Sequence, residues 1–239
     1  MCETLRTKCK IRYIYFNQEF MQTQKFYTER EEKANYLSHA VGIFIAITAT
    51  IILIIKGAKV DNTWAIVAYL IFGVGMLACM LSSTLYHYVK NPTTKALLRR
   101  FDHASIYVSI ASGYSPFTLI LLRNEGYWGW GLFIFVWLIA LIGIGFNFRK
   151  MKANNHFKTA SYVLMGLVIF AAIKPSLDIA HQLHCVPVLI WILIGGIFYI
   201  VGSVIYALAK REFVHFIFHI FVLMGFISHI YAAYLIPLK

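Results

Sequence analysis

From residue 37 onward the chain alternates long apolar runs with short polar links, and the runs show no strict alternation of apolar and polar positions. Seven runs stand out, at about 37–56, 64–89, 103–122, 128–148, 157–173, 187–209 and 213–236. A hydrocarbon core about 30 Å thick takes about 20 helical residues to cross, so each run predicts a membrane-spanning helix. The fifth is the shortest, because Lys174 and Pro175 close it with a charge and with a residue that has no N–H. A membrane barrel would instead show ten-residue strands of alternating polarity. The pattern therefore predicts an all-α integral membrane protein: a seven-transmembrane helix bundle over 37–239, preceded by a basic tail over 1–36. The links are too short for a separate soluble domain.

Composition agrees with the pattern. The 239 residues are 60% hydrophobic and 13% charged, with a mean hydropathy of +0.69, whereas soluble domains run near 25% charged. A net charge of +12 invites a nucleic-acid reading, but its distribution speaks against one. Seventeen lysines and arginines fall in the tail and in the second, fourth and sixth links, and five fall in the other links and at the C-terminus. That asymmetry follows the positive-inside rule. It predicts a cytoplasmic N-terminus and, with seven spans, an external C-terminus, in a multi-pass protein of the cell membrane. Membrane lipid is the expected partner and nucleic acid is not.

Four cysteines make no framework. Cys2 and Cys9 fall in the tail, Cys79 within the second span and Cys185 alone in an external link, so no disulfide is expected. Residues 1–20 lack the continuous apolar core of a signal peptide. Two readings of them stay open: a basic, aromatic stretch lying on the inner leaflet, or translation that begins at Met21.

Polar groups inside a membrane span are costly and usually face a partner in the bundle interior. Several here share one depth. The second span ends on "SSTLYH", placing Ser83 and His87 near its cytoplasmic end; the third opens on "RRFDHASIY" with Asp102 and His103; the seventh opens with His215 and His219. His215 and His219 are four residues apart, on one helix face and about 6 Å apart along the axis. That spacing lets two imidazoles of one helix bind one metal ion. With His87 they form a His₃ set for Zn²⁺ with an open fourth position, the arrangement by which zinc acidifies a bound water. Asp102 is placed to take a proton from that water, and Ser83 to support it or a developing oxyanion. Asp102 also has the position of an N-cap for the third span, a role compatible with the first.

Other polar residues are expected to serve structure. His229 lies ten residues past His219, roughly 15 Å along the helix, and is read as an interior hydrogen-bonding group or as lining a cavity above the metal. His103 likewise stays outside the metal set. Glu31, Glu32, Asn35 and His39 share the same depth at the head of the first span and are read as capping or structural groups. Asp178, His181 and His184, in the external link, form a rival cluster on which no other segment converges.

Four stretches, "EEKANYLSHAVG", "SSTLYH", "FDHASIYVSIASGYSPF" and "HFIFHIFVLMGFISH", resemble the hemolysin III family, within the larger set that includes the progestin and adipoQ receptors and the alkaline ceramidases. The similarity runs from about residue 29 to the end. It implies a seven-helix fold with a cytoplasmic N-terminus, a zinc ion on His87, His215 and His219, and a water on that zinc near Asp102 and Ser83. The short link after the third span looks more like the compact bacterial members. Such proteins are variously pore-forming cytolysins, lipid-sensing receptors and zinc hydrolases of lipid amides, and fold alone does not choose among these. The expected function is a zinc-dependent hydrolase of a membrane lipid amide or ester. A pore or a receptor with a structural zinc is the alternative.

Overall fold

The structure, a computed structural model, describes residues 27–148, 155–208 and 211–238. The readings of residues 1–20, with Cys2 and Cys9, lie outside the described residues. Among the described residues eight α-helices follow in order: α1 (Glu29–Ala58), α2 (Thr63–Tyr88), α3 (Pro92–Gly113), α4 (Trp128–Phe148), α5 (Asn155–Leu167), α6 (Ile173–Gln182), α7 (Val186–Leu208) and α8 (Val214–Leu235). A π-helical turn over Phe117–Leu121 prolongs α3, and a 3₁₀ turn over Val168–Ala172 joins α5 to α6. Counted as spans these make seven segments long and apolar enough to cross a membrane, as the hydrophobic pattern predicts.

Three boundaries differ from the sequence reading, each for a local reason. The first helix begins at Glu29, two turns before residue 37. Thr28 accepts from the Glu31 N–H while the Glu31 carboxylate accepts from the Thr28 N–H, a reciprocal cap that satisfies two end donors. The third helix begins at Pro92 with Asn91 as its cap. Proline at the first helical position gives up an N–H that had no partner there anyway. Asp102 is thus well inside α3, and its reading as an N-cap is overturned. The fifth span does not stop at Lys174 and Pro175 but runs over Lys158–Gln182. Pro175 falls in the first turn of α6, where its missing N–H breaks no bond. Asp178 and His181 therefore ride on a helix, and Lys174 pairs with Asp178 one turn on, at 2.6 Å on the surface.

At Pro116 the third span changes pitch. The chain continues as a wider turn in which Leu122 N–H reaches back five residues to the Phe117 carbonyl at 2.8 Å, a common accommodation of proline in a helix.

The buried positions of α1, Glu31, Asn35, Ser38, Gly42, Ala46, Ala49 and Leu53, recur every three or four residues. They form one stripe, polar in its first turns and apolar beyond. On α2 the stripe runs the other way and ends on Ser83 and His87. α1 packs on α2 and α8, α2 on α3, and α7 on α8. Gly75 lets α2 and α3 close up: a Cβ there would stand 1.8 Å from Ser112 Oγ, the kind of close approach that small residues permit between membrane helices. Apolar cores from Ala46, Leu53, Phe72, Met76, Met80 and Leu223 on one side, and around α3 to α7 on the other, hold the polar ends of α1, α2, α3 and α8 together. These ends lie on the basic-link side of the bundle, called here the basic end.

Candidate metal centre

Two sets of contacts tie the helices together at the basic end, one joining α8 to α1 and one joining α3 to α2 and α1. Phe213, the residue before α8, has a left-handed backbone (φ 61) that a bulky side chain rarely adopts. Its N–H donates to Glu31 Oε1 at 2.9 Å, while Glu31 Oε2 accepts from Thr28 N–H at 2.9 Å. One carboxylate thereby caps α1 and ties down the chain that delivers His215. On the other side Lys95, from the first turn of α3, donates to the last carbonyls of α2, Tyr86 O at 2.9 Å and Val89 O at 3.4 Å. It also pairs with Glu32 at 2.9 Å.

Among the described residues one set of three metal-ligating side chains comes together: His87, His215 and His219, whose candidate donor atoms lie within 4.8 Å of one another. His87 and His219 are each 2% exposed, and His215 is half-buried. His87 Nε2 and His219 Nε2 each lie 3.1 Å from His215 Nε2. A tetrahedral ion binding nitrogen at about 2.0–2.1 Å separates its ligands by about 3.3 Å, so His215 already stands at ligand spacing from both other rings.

The far side of each ring decides what the near side offers. His87 Nδ1 lies 2.6 Å from Glu32 Oε2; a carboxylate only accepts, so Nδ1 carries a proton, and in the neutral ring Nε2 is left as the lone pair. For His219 the logic is the same. Ser38 Oγ–H donates to the Asn35 carbonyl at 2.7 Å, so the hydroxyl oxygen, at 3.1 Å, and that carbonyl, at 3.3 Å, both accept from His219 Nδ1–H. Two lone pairs are thus aimed at His215 Nε2, which can donate to at most one of them. A divalent cation satisfies all three at once, and outer hydrogen bonds of this kind orient metal-bound histidines. A set of three imidazole nitrogens suits zinc.

Stacked rings hold the set in place. His39, 3% exposed, lies on His219 with centroids 3.7 Å apart and planes 16° apart. Tyr27 lies over His215 at 5.0 Å. Burial, with the neighbouring Tyr206 hydroxyl, holds the Tyr27 phenol protonated, well above its ordinary pKa.

Ser83 and Asp102 occupy the α2–α3 side. Ser82 turns away from the histidines to meet Ser105 at 2.7 Å, fixing the register of the two helices. Ser83 is 2% exposed and its Oγ has no hydrogen-bond partner. The half-buried Asp102 carboxyl neighbours both Ser83 and His87, short of a hydrogen bond to the serine.

The residues read as bystanders separate. Asp178 is paired with Lys174, His181 and His184 are exposed, and among the described residues none of the three belongs to an assembled ligand group. His229 donates from Nε2 to the Ile192 carbonyl at 3.2 Å, the interior hydrogen bond expected of it. Cys79 and Cys185 are free. Sequence reasoning passed over Ser38 and Tyr27 and gave Glu32 and His39 only structural parts. The signal was present in the three-and-four spacing of 31, 35, 38 and 42, which puts the polar head of α1 on the side that faces His87 and His219.

Comparisons with known proteins identify the family. The profile of the family described as "Haemolysin-III related" matches residues 27–230. "Hemolysin-3" of Bacillus cereus is 38% identical over 198 residues, covering 82% of this chain and 87% of that protein. The "Hemolysin-3 homolog" of Bacillus subtilis (strain 168) is 40% identical over 202 residues, with 83% and 91% covered. More distantly, human "Monocyte to macrophage differentiation factor" is 27% identical over 215 residues, with 84% and 82% covered. With seven apolar spans among the described residues and relatives in Bacillus, the chain is a multi-pass membrane protein, and it belongs to the haemolysin-III related family.

Proposed function

We propose that the protein is a zinc-dependent hydrolase of a membrane lipid amide or ester, working at the basic end of the bundle. The observation that carries this reading is the convergence of three Nε2 atoms whose opposite nitrogens, on His87 and His219, are committed as donors. His87, His215 and His219 would hold the ion, which when bound supplies Lewis-acid polarisation of a carbonyl and acidifies water. Glu32 and Ser38 keep the rings turned toward it. Asp102 accepts the proton of the attacking water and returns it to the leaving amine or alcohol. The partnerless Ser83 hydroxyl donates to the oxyanion as it develops, a contact worth most where water is excluded. Burial among membrane helices restricts the substrate to molecules already in the lipid phase. Chelator treatment and His215→Ala should each abolish turnover of an N-acyl lipid by the purified protein, and readded zinc should rescue only the first. Turnover that persists through both rejects the mechanism.

The names of the Bacillus relatives speak of lysis and favour one second reading, a pore. Leakage of liposomes that survives loss of all three histidines would select it.

A further inference from the structure

A hollow adjoins the metal set on the Glu32–His87 side. A cavity of about 540 Å³ lies between the first turns of α1, the last turn of α2 and the first turn of α3, and His87 forms part of its wall. That volume is within the range of small-molecule sites. Arg30, Lys33, Lys90 and Lys95 line it, against only two carboxylates, Glu29 and Glu32. Both carboxylates are engaged. Glu32 meets His87 and Lys95, and Glu29 meets Lys90 at 3.2 Å in an exposed pair. Arg30 and Lys33 are exposed and have no acidic partner among the described residues. Among the described residues the mouth therefore carries a surplus of two positive charges.

Its lips are apolar and face outward. Tyr36 and Tyr88 line the cavity and touch edge to face at 5.5 Å. From Tyr88 an exposed stripe continues along α2 through Leu85 and Leu81, and beside Tyr36 another continues along α1 through Leu37, Val41 and Phe44, the last 73% exposed. These are three- and four-residue spacings, so each stripe is one helix face. In a membrane protein such a face lies against lipid. A cationic, tyrosine-walled mouth that opens onto two acyl-facing stripes is built for a molecule with an anionic head and an apolar tail.

We propose that the mouth receives the anionic head of a membrane amphiphile, so that the hydrolase acts on acyl lipids bearing a phosphate or carboxylate near the scissile bond. Arg30 and Lys33 supply the charge-assisted contacts to the head, and the exposed faces of α1 and α2 take the tail. The proposal rests on the hydrolase reading for its reacting carbonyl, but the recognition step is separable from it.

The test uses the purified full chain in neutral dodecyl maltoside, with dodecyl phosphate as probe and binding read by calorimetry. Saturable binding is expected, weakened at least about tenfold in Arg30→Gln/Lys33→Gln. Lys174→Gln, a charge loss at a distant surface pair, should bind like the wild type. Inorganic phosphate at equal concentration should compete poorly, because it lacks the tail. Unchanged affinity in the double variant, equal binding of neutral dodecanol, or full competition by inorganic phosphate would each overturn the proposal. Zinc content is measured on the same samples. Full zinc with no head selectivity removes this inference alone, whereas head selectivity in a protein that never takes up zinc removes the hydrolase and leaves the anion site standing.

Discussion

His219 and His229 stand on the same helix, one near its basic end and one near the other, and their surroundings give them opposite work. Around His219, α1 brings Ser38 and the Asn35 carbonyl to Nδ1, and α2 brings His87 to the Nε2 side. Around His229, α7 offers a single carbonyl, Ile192 O, to Nε2, with the edges of Tyr199 and Phe117 closing the space. One ring has its proton fixed on the far nitrogen and its lone pair aimed at other lone pairs. The other spends its proton on a backbone acceptor and finishes as a helix-to-helix hydrogen bond. Residue type and apolar context are the same; which atom the neighbouring helices offer makes the difference.

The largest effect should come from removing a ring of the convergent set. His219→Ala or His87→Ala should lower zinc affinity by more than about 100-fold, beyond the usual cost of an outer-sphere change, as read by metal analysis after dialysis. His229→Ala should leave zinc content intact. Next in size is Glu32→Gln, which replaces the carboxylate at His87 Nδ1 with an amide that can present either a donor or an acceptor. Affinity should fall about 10- to 100-fold, while the helical circular dichroism stays unchanged. At the other end Gly195→Ala would set a Cβ 2.3 Å from His229 Cδ2 and 3.1 Å from Gly225 O. A loss of about 1–3 kcal/mol in stability is expected, measured by thermal unfolding, with zinc content unaffected. The smallest effect belongs to His229→Phe, which removes one interhelical hydrogen bond worth about 0.6–2 kcal/mol in a membrane. If His229→Phe instead stripped the metal, the contrast between the two histidines would be lost.

The spans were legible because apolar length is a property of each segment alone, and the shared depth of Ser83, His87, Asp102, His215 and His219 followed from counting alternating directions. Helix starts were less legible. Thr28 and Asn91 begin helices through side-chain bonds to N–H groups that hydropathy does not register, so α1 and α3 extend beyond their apolar runs. For the fifth span, Lys174 and Pro175 read as a terminus, yet proline in a first turn is harmless and a lysine can pair with Asp178 at the surface. Glu32 and Ser38 were illegible as ring-orienting groups for a different reason. Their partners lie 55 and 181 residues away, and which face of α1 meets which histidine is set by packing across the bundle.

The proposed chemistry requires three nitrogens to share one ion. X-ray absorption at the zinc edge of the purified, zinc-loaded chain reads that directly. It should show a four-coordinate shell with three imidazole nitrogens at about 2.0–2.1 Å, losing one imidazole in His215→Ala and none in His229→Ala. A shell without imidazole, or one that His215→Ala leaves unchanged, would contradict it.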